Sequence, residues 1–337
     1  MNTATTQSEL MLLSVVVPVF NERDSLPLFH DRLTAVLDGL PLRSAILFID
    51  DGSTDESAKV LESISASDSR VTVLRLSRNF GKEAAMSAGL DHAPGDAVVI
   101  IDADLQDPPE LIAEFVEHWR QGFDVVYARR ESRVGDSWLK RSSAAMFYRL
   151  LDRVAEVPIP RDTGDFRLLS RRAVDALVKL REQHRYMKGL YAWVGFPQKA
   201  IDYAREPRQR GKSKWDFWRL WNLALEGITS FSAAPLKLAT LLGLATSLFA
   251  FVYGSYFLLR TLLFGNPIPG YPSLMVIILF LGGVQLVCLG IIGEYLARTY
   301  GESKGRSVYV VMEHYPPHTR DHKTATNETP SAVIDAD

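Results

Sequence analysis

Between residues 12 and 127, short apolar runs alternate with stretches of helical spacing. The runs lie at 12–19, 45–49, 71–76, 97–101 and 124–127 and are rich in Val, Ile and Leu. Nearly continuous apolar runs mark strands buried on both faces, and helices between them mark crossovers. The pattern therefore predicts βαβ units and a mainly parallel sheet. Two helix starts are written in the sequence. Ser53-Thr54-Asp55-Glu56 reads as a capping box, and Asp107-Pro108-Pro109-Glu110 reads as an acidic N-cap with proline at N1 and Glu at N3. Each follows a strand, so these loops are expected at the C-terminal ends of strands, where open α/β sheets bind ligands.

After residue 127 the pattern changes. Arg129, Arg130, Arg133, Lys140 and Arg141 crowd one segment, and 137–154 reads as a helix with an apolar face beside basic residues. Segment 215–225 is similar, with Trp215, Trp218 and Trp221 at spacing three. Such helices pack on a soluble domain or lie at a membrane interface; the neighbouring sequence favours the interface. From 238 to 293 the one charged residue is Arg260. Two uncharged stretches, 238–259 and 272–293, are each long enough for roughly 33 Å of helix, the thickness of a bilayer core. A buried helical hairpin is the alternative, but soluble helices of this length keep a polar face.

Basic residues set the expected topology. Segment 205–237 carries seven and segment 294–306 three, whereas the turn 260–271 carries Arg260 alone. Both flanks of the hairpin are expected in the cytosol and the turn outside. The apolar run 11–20 lacks a basic leader and a small-residue cleavage site, so no signal peptide is expected.

Composition narrows the classes. The 337 residues carry 38 Lys+Arg against 40 Asp+Glu, a net charge of −2, which gives no reason to expect a nucleic-acid partner. With 47% hydrophobic and 23% charged residues, wholesale disorder is excluded. The single cysteine, Cys288, excludes an internal disulfide framework and a Cys-based zinc cluster. A mean hydropathy of −0.00 resembles a soluble protein only because it averages a polar half with two apolar spans.

The candidate chemistry lies past the predicted strands. Asp102-Ala103-Asp104 follows the run 97–101, and two carboxylates there can reach one hard divalent cation with positions left open for phosphate oxygens. An acidic turn is the plain alternative, and Asp107 reads as a cap rather than a ligand. Asp50 or Asp51, in Asp50-Asp51-Gly52-Ser53-Thr54-Asp55, could accept from a base N–H or a ribose hydroxyl. Pro18-Val19-Phe20-Asn21-Glu22 ends the first strand. Lys82, at a predicted helix start, could counter a phosphate or be a solvated lysine.

In this order and spacing, Val17-Pro18-Val19-Phe20-Asn21-Glu22, Asp50-Asp51-Gly52-Ser53-Thr54-Asp55, Arg78-Asn79-Phe80-Gly81-Lys82-Glu83 and Asp102-Ala103-Asp104-Leu105-Gln106-Asp107 closely resemble family-2 glycosyltransferases. Asp162-Thr163-Gly164-Asp165-Phe166-Arg167-Leu168, Arg210-Gly211-Lys212-Ser213-Lys214-Trp215 and two C-terminal spans extend the match. The matching subgroup is the polyprenyl-phosphate glycosyltransferases, which include dolichyl-phosphate mannose synthases and undecaprenyl-phosphate (bactoprenol) glucosyl and aminoarabinosyl transferases.

The resemblance implies a GT-A (Rossmann-like) α/β domain that binds a nucleotide sugar, followed by interfacial amphipathic helices and two transmembrane helices. It implies a tail at 1–10, a cytosolic catalytic unit at 11–230, a transmembrane hairpin at 231–295, and a cytosolic C-terminal segment with a disordered tail at 296–337. Pro18, Asn21, Glu22, Asp50, Asp51, Lys82, Ala103 and Gln106 are expected around the nucleotide sugar. Asp102 and Asp104 are expected to hold Mg²⁺ or Mn²⁺ on its diphosphate. Asp165 is expected at the reacting centre, with Asp162 the second choice. Arg129, Arg130, Arg210, Ser213 and Lys214 are expected to meet donor or acceptor phosphates.

The implied reaction is inverting transfer of one sugar, glucose from UDP-glucose by preference, to undecaprenyl phosphate at the cytosolic face of the inner membrane. A flippase and a second transferase would follow, and Gly282-Gly283 would permit self-association. Three other readings stay open: a mannose or aminoarabinose transferase, an enzyme using a lipid hydroxyl, and a non-enzymatic nucleotide-sensing scaffold. Processive polysaccharide synthases usually carry Gln-x-x-Arg-Trp; Gln183-His184-Arg185-Tyr186 stands here without the Trp, which argues against polymer synthesis.

Overall fold

A computed structural model describes residues 11–130, 163–183, 185–203, 234–264 and 270–316. The elements run β1 (Leu12–Val19), α1 (Leu26–Asp38), β2 (Arg43–Asp50), α2 (Ser57–Ser67), β3 (Val71–Leu76), α3 (Lys82–His92), β4 (Ala97–Ile100), α4 (Leu111–Arg120) and β5 (Val125–Arg130). After the undescribed stretch come β6 (Thr163–Ser170), α5 (Arg171–Val178), α6 (Met187–Trp193) and β7 (Gln198–Tyr203). Then follow α7 (Ala234–Phe264), α8 (Tyr271–Ser303) and β8 (Val311–Tyr315).

One sheet holds all eight strands in the order β7-β5-β6-β4-β1-β2-β3-β8. The expected parallel core is there: β1 pairs with β2 and β4, and β2 with β3, all parallel. The sheet is nonetheless mixed. β6 runs antiparallel between β4 and β5, and β8 runs antiparallel to β3. Successive residues of β1 serve two cores. Val15 and Val17 pack with Phe29, Leu33 and Phe115 of α1 and α4 on one face. Val16 packs with Met86 and Leu90 of α3 and Leu177 of α5 on the other.

Helix α3 lies very close to the sheet because Gly89 has no side chain. A Cβ there would stand 2.1 Å from Cγ1 of Val16. Gly89→Ala is therefore expected to cost about 1–3 kcal/mol through overpacking. Thermal unfolding of the purified protein checks this; an unchanged midpoint would mean that α3 can lift off β1 at no cost.

Both sequence-read caps are corrected. The helix after Asp55 starts at Ser57, with no side-chain cap at Glu56. Ser53 instead accepts from Asn21 N at 3.0 Å. The helix after Asp107, α4, starts at Leu111, again without a side-chain cap. Asp107 is buried and accepts from the Tyr203 hydroxyl.

Helices α7 and α8 are 31 and 33 residues long and apolar enough to cross a membrane. Their apolar side chains face outward; Phe251 is 73% and Leu286 71% exposed. The end of α8 returns to the α/β unit. Gln183 N donates to Glu302 Oε1 at 2.8 Å, and Tyr309 Oη donates to Asp91 Oδ2 at 2.7 Å. Within the C-terminal segment expected at 296–337, residues 311–315 close the sheet as β8. The predicted helices at 137–154 and 215–225 lie outside the described residues.

Candidate active site

Three elements converge beyond the C-terminal edge of the parallel strands. β4 ends at Ile100, and the following loop carries Asp102 and Asp104. It turns sharply at Leu105, whose φ of 60° is rare for a branched side chain. α3 opens with Lys82 and Glu83. β6 brings Asp165 and Arg167, two residues apart and so on one face of the strand.

The centre of the site is an ion triad. Nζ of Lys82 lies 2.7 Å from both carboxylate oxygens of Asp102 and 2.6 Å from Oδ2 of Asp165. Burial alone would lower the Lys82 ammonium, but Asp102 and Asp165 outweigh it and hold the proton on. Burial would raise Asp165, yet Lys82 and Lys188 pull harder and hold its carboxyl down to about 2. Oδ1 of Asp165 is buried and accepts no hydrogen bond among the described residues. Asp102 goes the other way. Burial and the charges of Asp165 and Asp104 push it up, against the pull of Lys82.

Around the triad stand groups that the sequence reading passed over. Glu83 Oε2 accepts from Met187 N at 3.2 Å, which ties α3 to α6. Burial and the Asp165 charge push the Glu83 carboxyl up to about 7. Lys188 of α6 faces Asp165, Arg167 and Lys82, and burial lowers its ammonium. Arg167 is buried under the Tyr191 ring, its guanidinium carbon 3.6 Å from the centroid. It donates to Gly164 O at 2.8 Å and so fixes the backbone that carries Asp165. The alternation of Gly164, Phe166 and Leu168 with Asp165 and Arg167 was the available signal for a strand with one polar face.

Of the two arginines that end β5, one joins the site. Arg130 donates to Tyr203 Oη at 3.4 Å and feels the charges of Asp107 and Asp102. Arg129 points elsewhere and forms a two-pronged pair with Asp202 at 2.5 and 2.8 Å. Asp162, Arg210, Ser213 and Lys214 lie outside the described residues.

The Asp50–Asp55 and Pro18–Glu22 loops interlock beside the triad. Asp50 Oδ1 accepts from Ser53 N at 2.9 Å. Its Oδ2 is buried, forms no hydrogen bond among the described residues, and faces Arg75 Nε at 3.4 Å. The Arg75 guanidinium is thus the cation that faces this oxygen. Asp51 is different: its carboxylate accepts from Phe80 N at 2.7 Å and Gly81 N at 2.9 Å, binding this loop to the start of α3. Asn21, at φ 58°, accepts from Thr54 N at 2.8 Å and Asp55 N at 3.2 Å. Glu22 N donates to Ser57 Oγ at 2.9 Å, and Pro18 lies within β1. Ala103 and Gln106 are buried in the loop that follows β4, where Gln106 N donates to Asp104 Oδ1 at 3.1 Å.

The carboxylates suit a hard divalent cation. Asp102 is half-buried near the charges of Asp165 and Asp104 as well as the Lys82 ammonium, and Asp102 and Asp104 offer only oxygen. Among the described residues no group of three or more His, Cys, Asp or Glu side chains closes around a metal position. Two carboxylates would hold such an ion weakly and leave most of its coordination to another ligand.

A mixed α/β sheet with acidic loops and neighbouring lysine and arginine side chains at its C-terminal edge has the make-up of an enzyme site. The chain belongs to glycosyl transferase family 2, which it matches over residues 14–178, and residues 234–299 match the GtrB C-terminal hairpin. It is 52% identical to the uncharacterized glycosyltransferase sll0501 of Synechocystis, over 89% of this chain and 95% of that protein. It is 47% identical to the bactoprenol glucosyl transferase of Shigella phage SfV, over 89% and 98%. A prophage bactoprenol glucosyl transferase homolog of Escherichia coli K12 is 45% identical over the same shares. The chain is a glycosyltransferase with a GT-A-type mixed sheet.

Proposed function

We propose that the protein transfers one glucose from UDP-glucose to undecaprenyl phosphate, with inversion, at the cytosolic face of the membrane. The observation that carries this reading is similarity through the hairpin as well as the catalytic domain to proteins named bactoprenol glucosyl transferase. The chemistry of Asp165 supports it. A carboxyl held down to about 2 is a poor proton acceptor near neutrality. A lipid hydroxyl would need a stronger base, whereas a lipid phosphate is already an anion.

In this reading one acceptor oxygen forms a bond to the anomeric carbon as the bond from that carbon to the diphosphate breaks. Asp50 accepts from the base or ribose. Asp102 and Asp104 would hold Mg²⁺ or Mn²⁺, which when bound offsets charge on the diphosphate leaving group. Asp165 orients a sugar hydroxyl through its unpartnered Oδ1. Arg130, with Arg210, Ser213 and Lys214, receives phosphate oxygens. The two apolar helices cross the membrane, both flanks stay in the cytosol, and the product passes to a flippase and a second transferase.

The test is a panel of nucleotide sugars offered to membranes containing the protein and undecaprenyl phosphate, read by mass spectrometry of the lipid. UDP-glucose is expected to give a lipid phosphohexose. Absence of a lipid-linked product with every donor ends the proposal, and a product on diacylglycerol alone would replace it with the hydroxyl reading.

A further inference from the structure

The triad contains a contradiction that the function must resolve. Asp102 cannot present its carboxylate to a divalent cation while the Lys82 ammonium stands 2.7 Å from both of its oxygens. Two cations so close would repel strongly in a partly buried site. Lys82 is also tied to Asp165 at 2.6 Å, so the protein without ligands already carries an internal counter-ion at the place expected to take the metal.

The lysine is built to leave. It is the first residue of α3, on a flexible stem, and its side chain is 41% exposed. The preceding Gly81, at φ 98°, has open space where a side chain would be. The N-terminus of α3 favours negative charge in its first turn. A diphosphate arriving there brings anionic oxygens for the ammonium and for the metal together.

We propose that Lys82 is a placeholder cation: it holds Asp102 and Asp165 in the free enzyme and moves onto the donor diphosphate when metal and nucleotide arrive as a pair. This rests on the nucleotide-sugar reading above and deepens it. The consequence is coupling. Metal alone binds weakly because it must displace Lys82, and nucleotide strengthens it by giving Lys82 a new partner. The coupling is reciprocal, so metal strengthens nucleotide binding by the same factor.

The experiment titrates Mn²⁺ into the full-length protein in detergent, following the EPR signal of free Mn²⁺, with and without UDP. Wild type is expected to bind Mn²⁺ about tenfold or more tighter with UDP present. Lys82→Met should bind Mn²⁺ alone at least about tenfold tighter than wild type and lose most of the UDP enhancement. Lys82→Arg should behave like wild type. Lys188→Met removes a nearby charge that makes no ion pair with Asp102, and should shift Mn²⁺ affinity by less than about threefold.

Unchanged or weaker Mn²⁺ binding in Lys82→Met overturns the proposal, as does an equal gain in Lys188→Met. Should Lys82→Met fail to fold, Lys82→Gln keeps one hydrogen bond to a carboxylate and carries the same expectations. Equal Mn²⁺ affinity of wild type with and without UDP would also overturn it. Wild-type glucosyl transfer is scored separately: transfer without the Mn²⁺ effects sinks the placeholder alone, and lack of transfer sinks the parent reading.

Discussion

Asp165→Asn is expected to lower kcat by about 10³-fold while UDP-glucose KM moves by less than about threefold. The substitution keeps the shape and removes the charge. Lys82 then loses one of its two holders, and Oδ1, buried without a partner, gives way to a neutral amide. Under the proposed function the loss falls on kcat because Asp165 would meet the sugar rather than the nucleotide. Wild-type kcat should show no limb from Asp165 near neutrality, since its carboxyl is ionised well above about 2. A limb between pH 5 and 7 that disappears in Asp165→Asn would make it a general base and revive the lipid-hydroxyl acceptor.

Glu83 shows the opposite linkage. Its carboxyl is pushed up to about 7, so the folded protein takes up a proton between the unfolded value of 4.5 and that point. Its contribution to stability is greatest below pH 4.5 and declines as pH rises to 7. Asp165 acts in reverse: its contribution is present above 3.8 and is lost as pH falls toward 2. Glu83→Gln should flatten the fall in melting temperature between pH 5 and 7; an unchanged slope would assign that titration to another group.

The parallel core was legible because β1 to β4 are buried on both faces and so read as plain apolar runs. β6 was not, because its polar residues are the site: Asp165 and Arg167 interrupt the apolar pattern on the strand that places them. β8 is five residues long and pairs at Arg75 with Glu313, a partner distant in sequence. The caps failed for a shared reason. Ser53 and Asp107 have the short oxygen-bearing side chains that cap helices, and the fold spends them on neighbouring loops and on Tyr203 instead. Residue type announced that backbone or hydroxyl donors would be met, but not which ones. Lys82 reads as a residue that could counter a phosphate or be solvated, while its partners, Asp102 and Asp165, come from a loop and a strand that only the folded sheet brings together.

Asp51 carries that distinction into an experiment. Asp51→Ala is expected to cost about 2–4 kcal/mol, since it strips the acceptor from two amides at the start of α3. The carboxylate is 3% exposed, so water cannot easily take its place. Burial pushes its pKa up, and the hydrogen bonds from Phe80 and Gly81 oppose that rise. Loss of those bonds would free the loop that carries Lys82, so transfer activity should fall together with stability. Asp51→Asn keeps one acceptor and should recover part of both. Asp50→Asn is the contrast: it should lower the unfolding midpoint less than Asp51→Ala does and raise UDP-glucose KM, because Oδ2 of Asp50 accepts no hydrogen bond and is met by the Arg75 guanidinium at 3.4 Å. Thermal unfolding in detergent beside steady-state kinetics separates the two neighbours. An unchanged midpoint in Asp51→Ala with a large rise in donor KM would return Asp51 to the donor and make its two amide bonds incidental.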